Sequence, residues 1–140
     1  MTIVYTTGVF DLFHYGHLQI LKNARTLGDK LIVGIQDDQS VQSQKGQLPV
    51  FSTQERVEII RELKCVDAVI VYRDLDQRPI LEQIKPAIMV QGSDWLGSSD
   101  RSQIVEYLSR HHIRLIRLPY TQGISTSRIK KQGTKLKTNE

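Results

Sequence analysis

His14 and His17 are the residues of this 140-residue chain best suited to chemistry, and their setting says which chemistry. They close the segment Thr6-Thr7-Gly8-Val9-Phe10-Asp11-Leu12-Phe13-His14-Tyr15-Gly16-His17, which follows the apolar run Ile3-Val4-Tyr5. Beyond it, Leu18, Leu21, Ala24 and Arg25 mark successive helical turns. The segment is therefore a strand-to-helix turn. Glycine and small polar residues at such a turn let the backbone pass close to a bulky anion. If the helix starts near Phe13, the two imidazoles share one face of its first turn. They then stand at the positive end of the helix dipole, which suits phosphate better than a metal or a packed core. Zinc would need two more ligands. His111 and His112 belong to a far helix end, and the single cysteine, Cys65, offers no thiolate cluster.

The elements that must position this pair alternate from end to end. Strands are predicted over Ile3–Thr6, Lys30–Ile35, Ala68–Tyr72, Ala87–Gln91 and Arg114–Leu118. Most are rich in Val and Ile without strict alternation, as strands covered on both faces are. Helices are expected at His17–Leu27, Thr53–Leu63, Arg78–Ile84 and Gln103–His111, with a last one from Ser125. Gly28 is placed to end the first helix, Ser52 and Glu55 form a capping box, and Pro79 fits only a first turn. The βαβα order implies an α/β fold, a Rossmann-like doubly wound parallel five-stranded sheet in a single domain. Ligands of such sheets collect at the carboxyl ends of the strands. The domain is expected over residues 1–132, with 133–140 as a flexible polar tail.

Two further positions stand out on physical grounds. Arg56 is expected in the first turn of a helix, where a positive charge opposes the dipole, so an anionic partner is its natural reason. Ser125 can cap a short helix whose free N–H groups would face phosphates. A net charge of +4 and a pI near 9.3 could suggest nucleic acid. However, Arg128, Lys130, Lys131, Lys135 and Lys137 crowd the end of the chain, and no aromatic-interleaved basic stripe is present. No apolar run is long enough to span a bilayer, and the N-terminus lacks the layout of a secretory signal. A cytoplasmic enzyme without nucleic-acid or membrane partners is the expectation.

The segment ending in His14-Tyr15-Gly16-His17 resembles the His-x-Gly-His signature of the nucleotidyltransferase superfamily. Three more segments match in order: Ser52-Thr53-Gln54-Glu55-Arg56, Gly92-Ser93-Asp94-Trp95 and Gly123-Ile124-Ser125-Thr126-Ser127. Within the superfamily the chain is most similar to the glycerol-3-phosphate cytidylyltransferases, over about residues 2 to 131. The resemblance implies transfer of CMP from CTP to a phosphorylated alcohol such as glycerol 3-phosphate, with release of pyrophosphate. Such a reaction needs no strong base, because the attacking phosphate oxygen is already an anion. Catalysis reduces to alignment and charge neutralisation.

Carried over residue by residue, the resemblance makes His14, His17, Lys45, Arg56, Ser125 and Thr126 catalytic. Thr6, Thr7, Gly8, Val9 and Phe10 would wrap the nucleotide through main-chain groups, with Asp11 orienting the loop or a histidine, or capping the first helix. Gly92, Asp94 and Trp95 would meet the nucleoside. Gly123, Ile124, Ser125 and Thr126 would meet the phosphates. Lys45, in a polar stretch expected to be a loop, together with Lys64 and Tyr120, would contact the acceptor. Mg²⁺ carried with the triphosphate and a homodimer are implied by resemblance alone. One departure stands out. Tyr120-Thr121-Gln122-Gly123 replaces the Arg-Thr-Glu-Gly of the glycerol-3-phosphate and phosphocholine branches. The adenylyltransferases that make ADP-heptose or FAD also lack that arginine, so ATP with a sugar phosphate or FMN is the other reading.

Overall fold

A computed structural model describes residues 1–92 and 101–119. Along the chain run β1 (Ile3–Gly8), α1 (Tyr15–Arg25), β2 (Lys30–Gln36), α2 (Asp38–Lys45) and α3 (Thr53–Arg61). Next come β3 (Ala68–Tyr72), α4 (Arg78–Ile84), β4 (Ile88–Gly92), α5 (Arg101–Arg110) and β5 (Arg114–Leu118). The five strands form one sheet in the order β3-β2-β1-β4-β5, every neighbouring pair parallel. The order reverses between β1 and β4, so the fold presents a crevice at their carboxyl ends.

Both faces of the sheet are covered, and for that reason the strands are apolar on both sides. On one face Leu21 and Ala24 of α1 and Val57 and Ile60 of α3 pack on Val4, Leu31, Val33, Ile35 and Val90. On the other, Leu81 of α4 and Ile104 and Leu108 of α5 pack on Tyr5 and Met89. Truncating a fully buried residue such as Leu21 to alanine should cost about 2–5 kcal/mol.

The local signals held where they rest on side-chain chemistry. Ser52 Oγ accepts the Glu55 N–H at 3.1 Å and the Glu55 carboxylate accepts the Ser52 N–H at 2.9 Å. Pro79 lies in the first turn of α4. Three expectations are corrected. The stretch around Lys45 is a helix, α2, capped by Asp37 and closed by Gly46 in the left-handed region at φ 84°. Its sequence hides it, because Val41 is its one apolar residue. The first helix runs from Tyr15 and ends at Arg25 without a glycine. Gly28 serves close packing instead: a Cβ there would stand 2.7 Å from the Thr2 carbonyl oxygen. The expected helix from Ser125 and the tail 133–140 lie outside the described residues.

Candidate active site

The end of β1 and the start of α1 are joined by a loop bent twice into the left-handed region, with Phe10 at φ 55° and Leu12 at φ 50°. The first bend folds the Phe10 ring back over Gly8, where a Cβ would sit 2.9 Å from the ring. Any side chain there would have to push the ring aside. Two long-range ties hold the loop. The Asp11 carboxylate accepts the backbone N–H of Val50 at 2.8 Å and of Phe51 at 2.9 Å. It thus fastens the loop to the connector before α3 and does not cap α1.

His14 is the residue that caps α1. Its Nδ1 accepts the Gly16 N–H at 3.0 Å, and His17 Nδ1 accepts the His14 N–H at 3.3 Å. The rings stack at 3.9 Å, and His17 is further enclosed by Phe10 and Phe13. Since both Nδ1 atoms accept, each neutral ring carries its proton on Nε2. Burial lowers the pKa of His14, and burial followed by the nearby His14 lowers that of His17 to about 4, with Asp11 opposing. The pair therefore carries its two ring protons on Nε2 at a helix N-terminus, an arrangement whose chemistry suits an anion that brings its own charge.

Arg56 takes a different part from the one expected. Its side chain is fully buried, and all five N–H groups are spent inside the protein. Nε donates to the Phe51 carbonyl, Nη1 to the carbonyls of Val9 (2.9 Å) and Gln36 (2.7 Å), and Nη2 to Asp38 (2.7 Å) and Thr53 Oγ1. The anion that balances it is Asp38, whose carboxyl these bonds hold below the usual range against the opposing effect of burial. Arg56 is a clamp on the loop between β1 and α1, with no donor left for a phosphate.

The remaining residues divide by place. Thr6, Thr7, Gly8, Val9 and Phe10 converge at the crevice, and the Thr6 hydroxyl ties β1 to the Val90 carbonyl of β4 at 2.7 Å. Gly92 closes β4 on the same edge. Lys45 stands exposed at the end of α2. Lys64 lies in the turn that leads into β3, at the amino edge of the sheet and away from the crevice, so it is not brought to the site. Asp94, Trp95, Tyr120, Gly123, Ile124, Ser125 and Thr126 lie outside the described residues. The sequence reading missed Asp38, although its place directly after β2, at the carboxyl edge, was a signal.

The model of the cytidylyltransferase-like family matches residues 5–132. The chain is 35% identical over 128 residues to the Bifunctional protein HldE of Helicobacter pylori, covering 91% of this chain and 26% of that protein. It is 33% identical over 132 residues to its counterpart in Koribacter versatilis, covering 94% of this chain and 27% of that one. The chain thus spans about a quarter of the length of these relatives. Among solved structures, a lipopolysaccharide core biosynthesis protein from Thermoplasma volcanium superposes with a TM-score of 0.72 at 30% identity. That match covers 86% of this chain and 97% of the other.

Proposed function

The chain belongs to the cytidylyltransferase-like family of nucleotidyltransferases, and within it we propose that it transfers AMP from ATP to a sugar phosphate, releasing pyrophosphate. The observation that carries the choice of acceptor is the nearly whole-length likeness to a lipopolysaccharide core biosynthesis protein, since that core is built of sugars. None of the relatives named above bears the name of a cytidylyltransferase. Tyr120, in place of the arginine of the glycerol-3-phosphate branch, supports the same direction.

In this reading an oxygen of the sugar phosphate attacks the α-phosphorus, and the bond to the bridging oxygen breaks as pyrophosphate leaves. His14 and His17 donate through Nε2 to the triphosphate as charge moves onto it. They keep their protons throughout, because neither acts as base. The Phe10–Asp11 loop holds the nucleotide by its backbone, fixed by Arg56 and by the bonds of Asp11. Among the described residues no group of three His, Cys, Asp or Glu side chains is placed to hold a metal. Mg²⁺ brought in with the triphosphate would neutralise part of its charge.

The CTP and glycerol 3-phosphate reading keeps one observation in its favour, the Gly92-Ser93-Asp94-Trp95 and Gly123-Ile124-Ser125-Thr126 segments of the cytidylyl pattern. Pyrophosphate release with Mg²⁺ decides between them, with ATP and CTP each tested against hexose and heptose phosphates and glycerol 3-phosphate. Turnover with ATP and a sugar phosphate is expected. Turnover with CTP alone overturns the choice of base, and turnover with glycerol 3-phosphate alone overturns the choice of acceptor.

A further inference from the structure

On the face of the sheet that α4 and α5 cover, the carboxyl-terminal row from β3 to β4 is neutral and polar. Gln91 Nε2 on β4 donates to Thr7 Oγ1 on β1 at 3.1 Å. The Tyr72 phenol of β3 lies on the same face; burial pushes its pKa up to about 12, with a hydrogen bond to Thr7 and the Arg56 charge opposing. Gly34 of β2, in register with Thr7, leaves room on this face for the Tyr5 hydroxyl, which a Cβ there would meet at 2.5 Å. Tyr72 and Gln91 are buried, at 8% and 3% exposure, whereas Thr7 is only partly so. Two buried groups thus flank one partly exposed threonine beside the crevice.

The neighbours of this row are already engaged. Gln36 donates to Ser40 and Gln44, and Tyr5 donates to Gln77. Asp37 is paired with Arg73 at 2.6 Å. Arg117, exposed on β5, stands beside Gln91 in register. The wall that Thr7, Tyr72 and Gln91 form themselves carries no charge.

We propose that Thr7 reads a hydroxyl group of the acceptor's sugar, with Tyr72 and Gln91 as positioning residues that aim it. The proposal rests on the reading of the chain as a sugar-phosphate nucleotidyltransferase. Its geometric argument is one of sides. His14 and His17 belong to α1, on the opposite face of the sheet from Thr7, with the end of β1 between them. In-line transfer at phosphorus places the attacking oxygen opposite the leaving pyrophosphate. With pyrophosphate held at α1, the acceptor arrives from the side of Thr7. A hydroxyl backed by an amide and a phenol recognises an alcohol by hydrogen bonding and offers nothing to a cation or an aromatic ring.

The test is the steady-state kinetics of Thr7→Val, Thr7→Ser and Gln91→Leu on the sugar phosphate that the wild-type protein turns over. Thr7→Val should raise the acceptor KM at least tenfold and leave the ATP KM within twofold. Thr7→Ser, which keeps the hydroxyl, should restore it, and Gln91→Leu should follow Thr7→Val with a smaller rise. A Thr7→Val protein that changes both KM values alike, or neither, overturns the proposal while the nucleotidyl reading stands. A wild-type protein inactive on every sugar phosphate overturns that reading and this proposal with it.

Discussion

Arg56 offers the sharpest separation between a residue that builds the site and one that touches substrate. Arg56→Ala removes five donors at once, leaving the carbonyls of Val9, Gln36 and Phe51 and the Asp38 carboxylate without them. Asp38 is partly protected, because its side chain is 33% exposed and its other oxygen still accepts the Thr53 N–H. The buried carbonyls have less relief. Each unsatisfied group costs about 1–3 kcal/mol, and breaking a buried ion pair about 3–5 kcal/mol, with the two figures overlapping here. A loss of about 3–5 kcal/mol is therefore expected, out of a total stability of roughly 5–15 kcal/mol. Arg56→Lys keeps the charge and the Asp38 pair but not the five-way fork, and about half that loss is expected. Urea unfolding measures both, and pyrophosphate release at saturating substrates measures turnover. The clamp reading requires stability and activity to fall together. If Arg56→Ala unfolded within about 1 kcal/mol of wild type while its triphosphate KM rose a hundredfold, the arginine would be a phosphate ligand and the reasoning refuted.

Two further outcomes follow from the histidine pair. His17→Asn keeps an acceptor for the His14 N–H while removing the Nε2–H donor, so the protein should stay folded and lose about 10²–10³ in kcat, the scale of one lost donor to a transition-state oxyanion; turnover within tenfold of wild type would sink the donor role. Stability should also depend on pH. His17 is lowered from 6.5 to about 4 in the folded protein, so between those values the unfolded chain binds a proton that the folded one excludes. The contribution is thus fully present above pH 6.5 and is lost as pH falls through about 4, amounting to roughly 3 kcal/mol. His14, lowered in the same direction, adds to the slope. Urea midpoints measured from pH 7.5 to 4 should fall steeply in wild type and less so in His17→Asn; equal slopes would place the titration elsewhere.

What the sequence disclosed and what it withheld divide along the range of the forces concerned. The Val- and Ile-rich strands, the Ser52 and Glu55 box and Pro79 at the head of α4 are decided by neighbours in the chain, and a single sequence carries them. The α2 helix is decided by Asp37 as its cap and by packing of Val41 alone, a stripe too narrow to show as periodicity. Arg56 was legible as a cation needing an anion, but its partners lie up to 47 residues away, and only the folded chain shows that they are protein groups. The misplacement of Lys64 was avoidable. In a parallel sheet the residues that lead into a strand arrive at the amino edge, opposite the crevice, so topology alone excludes a lysine just before β3.

The histidine pair shows why residue type and spacing were so informative at that point. A side chain that caps a helix by accepting an N–H must keep a lone pair at the accepting atom. An imidazole can do this with Nδ1 and still hold a proton on Nε2, whereas lysine and arginine have no acceptor at all. Asparagine or serine could cap α1, but neither presents an N–H on the far side of a rigid ring. The bonds from Gly16 and His14 that start the helix therefore also settle where each ring proton sits. Stacking at 3.9 Å then disfavours a second charge, which keeps the buried ring neutral. Replacing His14 by arginine would add a formal charge for phosphate and yet remove the cap and the fixed direction of the donor. A larger loss of turnover than of triphosphate affinity is the expected result, because alignment in the transition state depends on direction more than on charge.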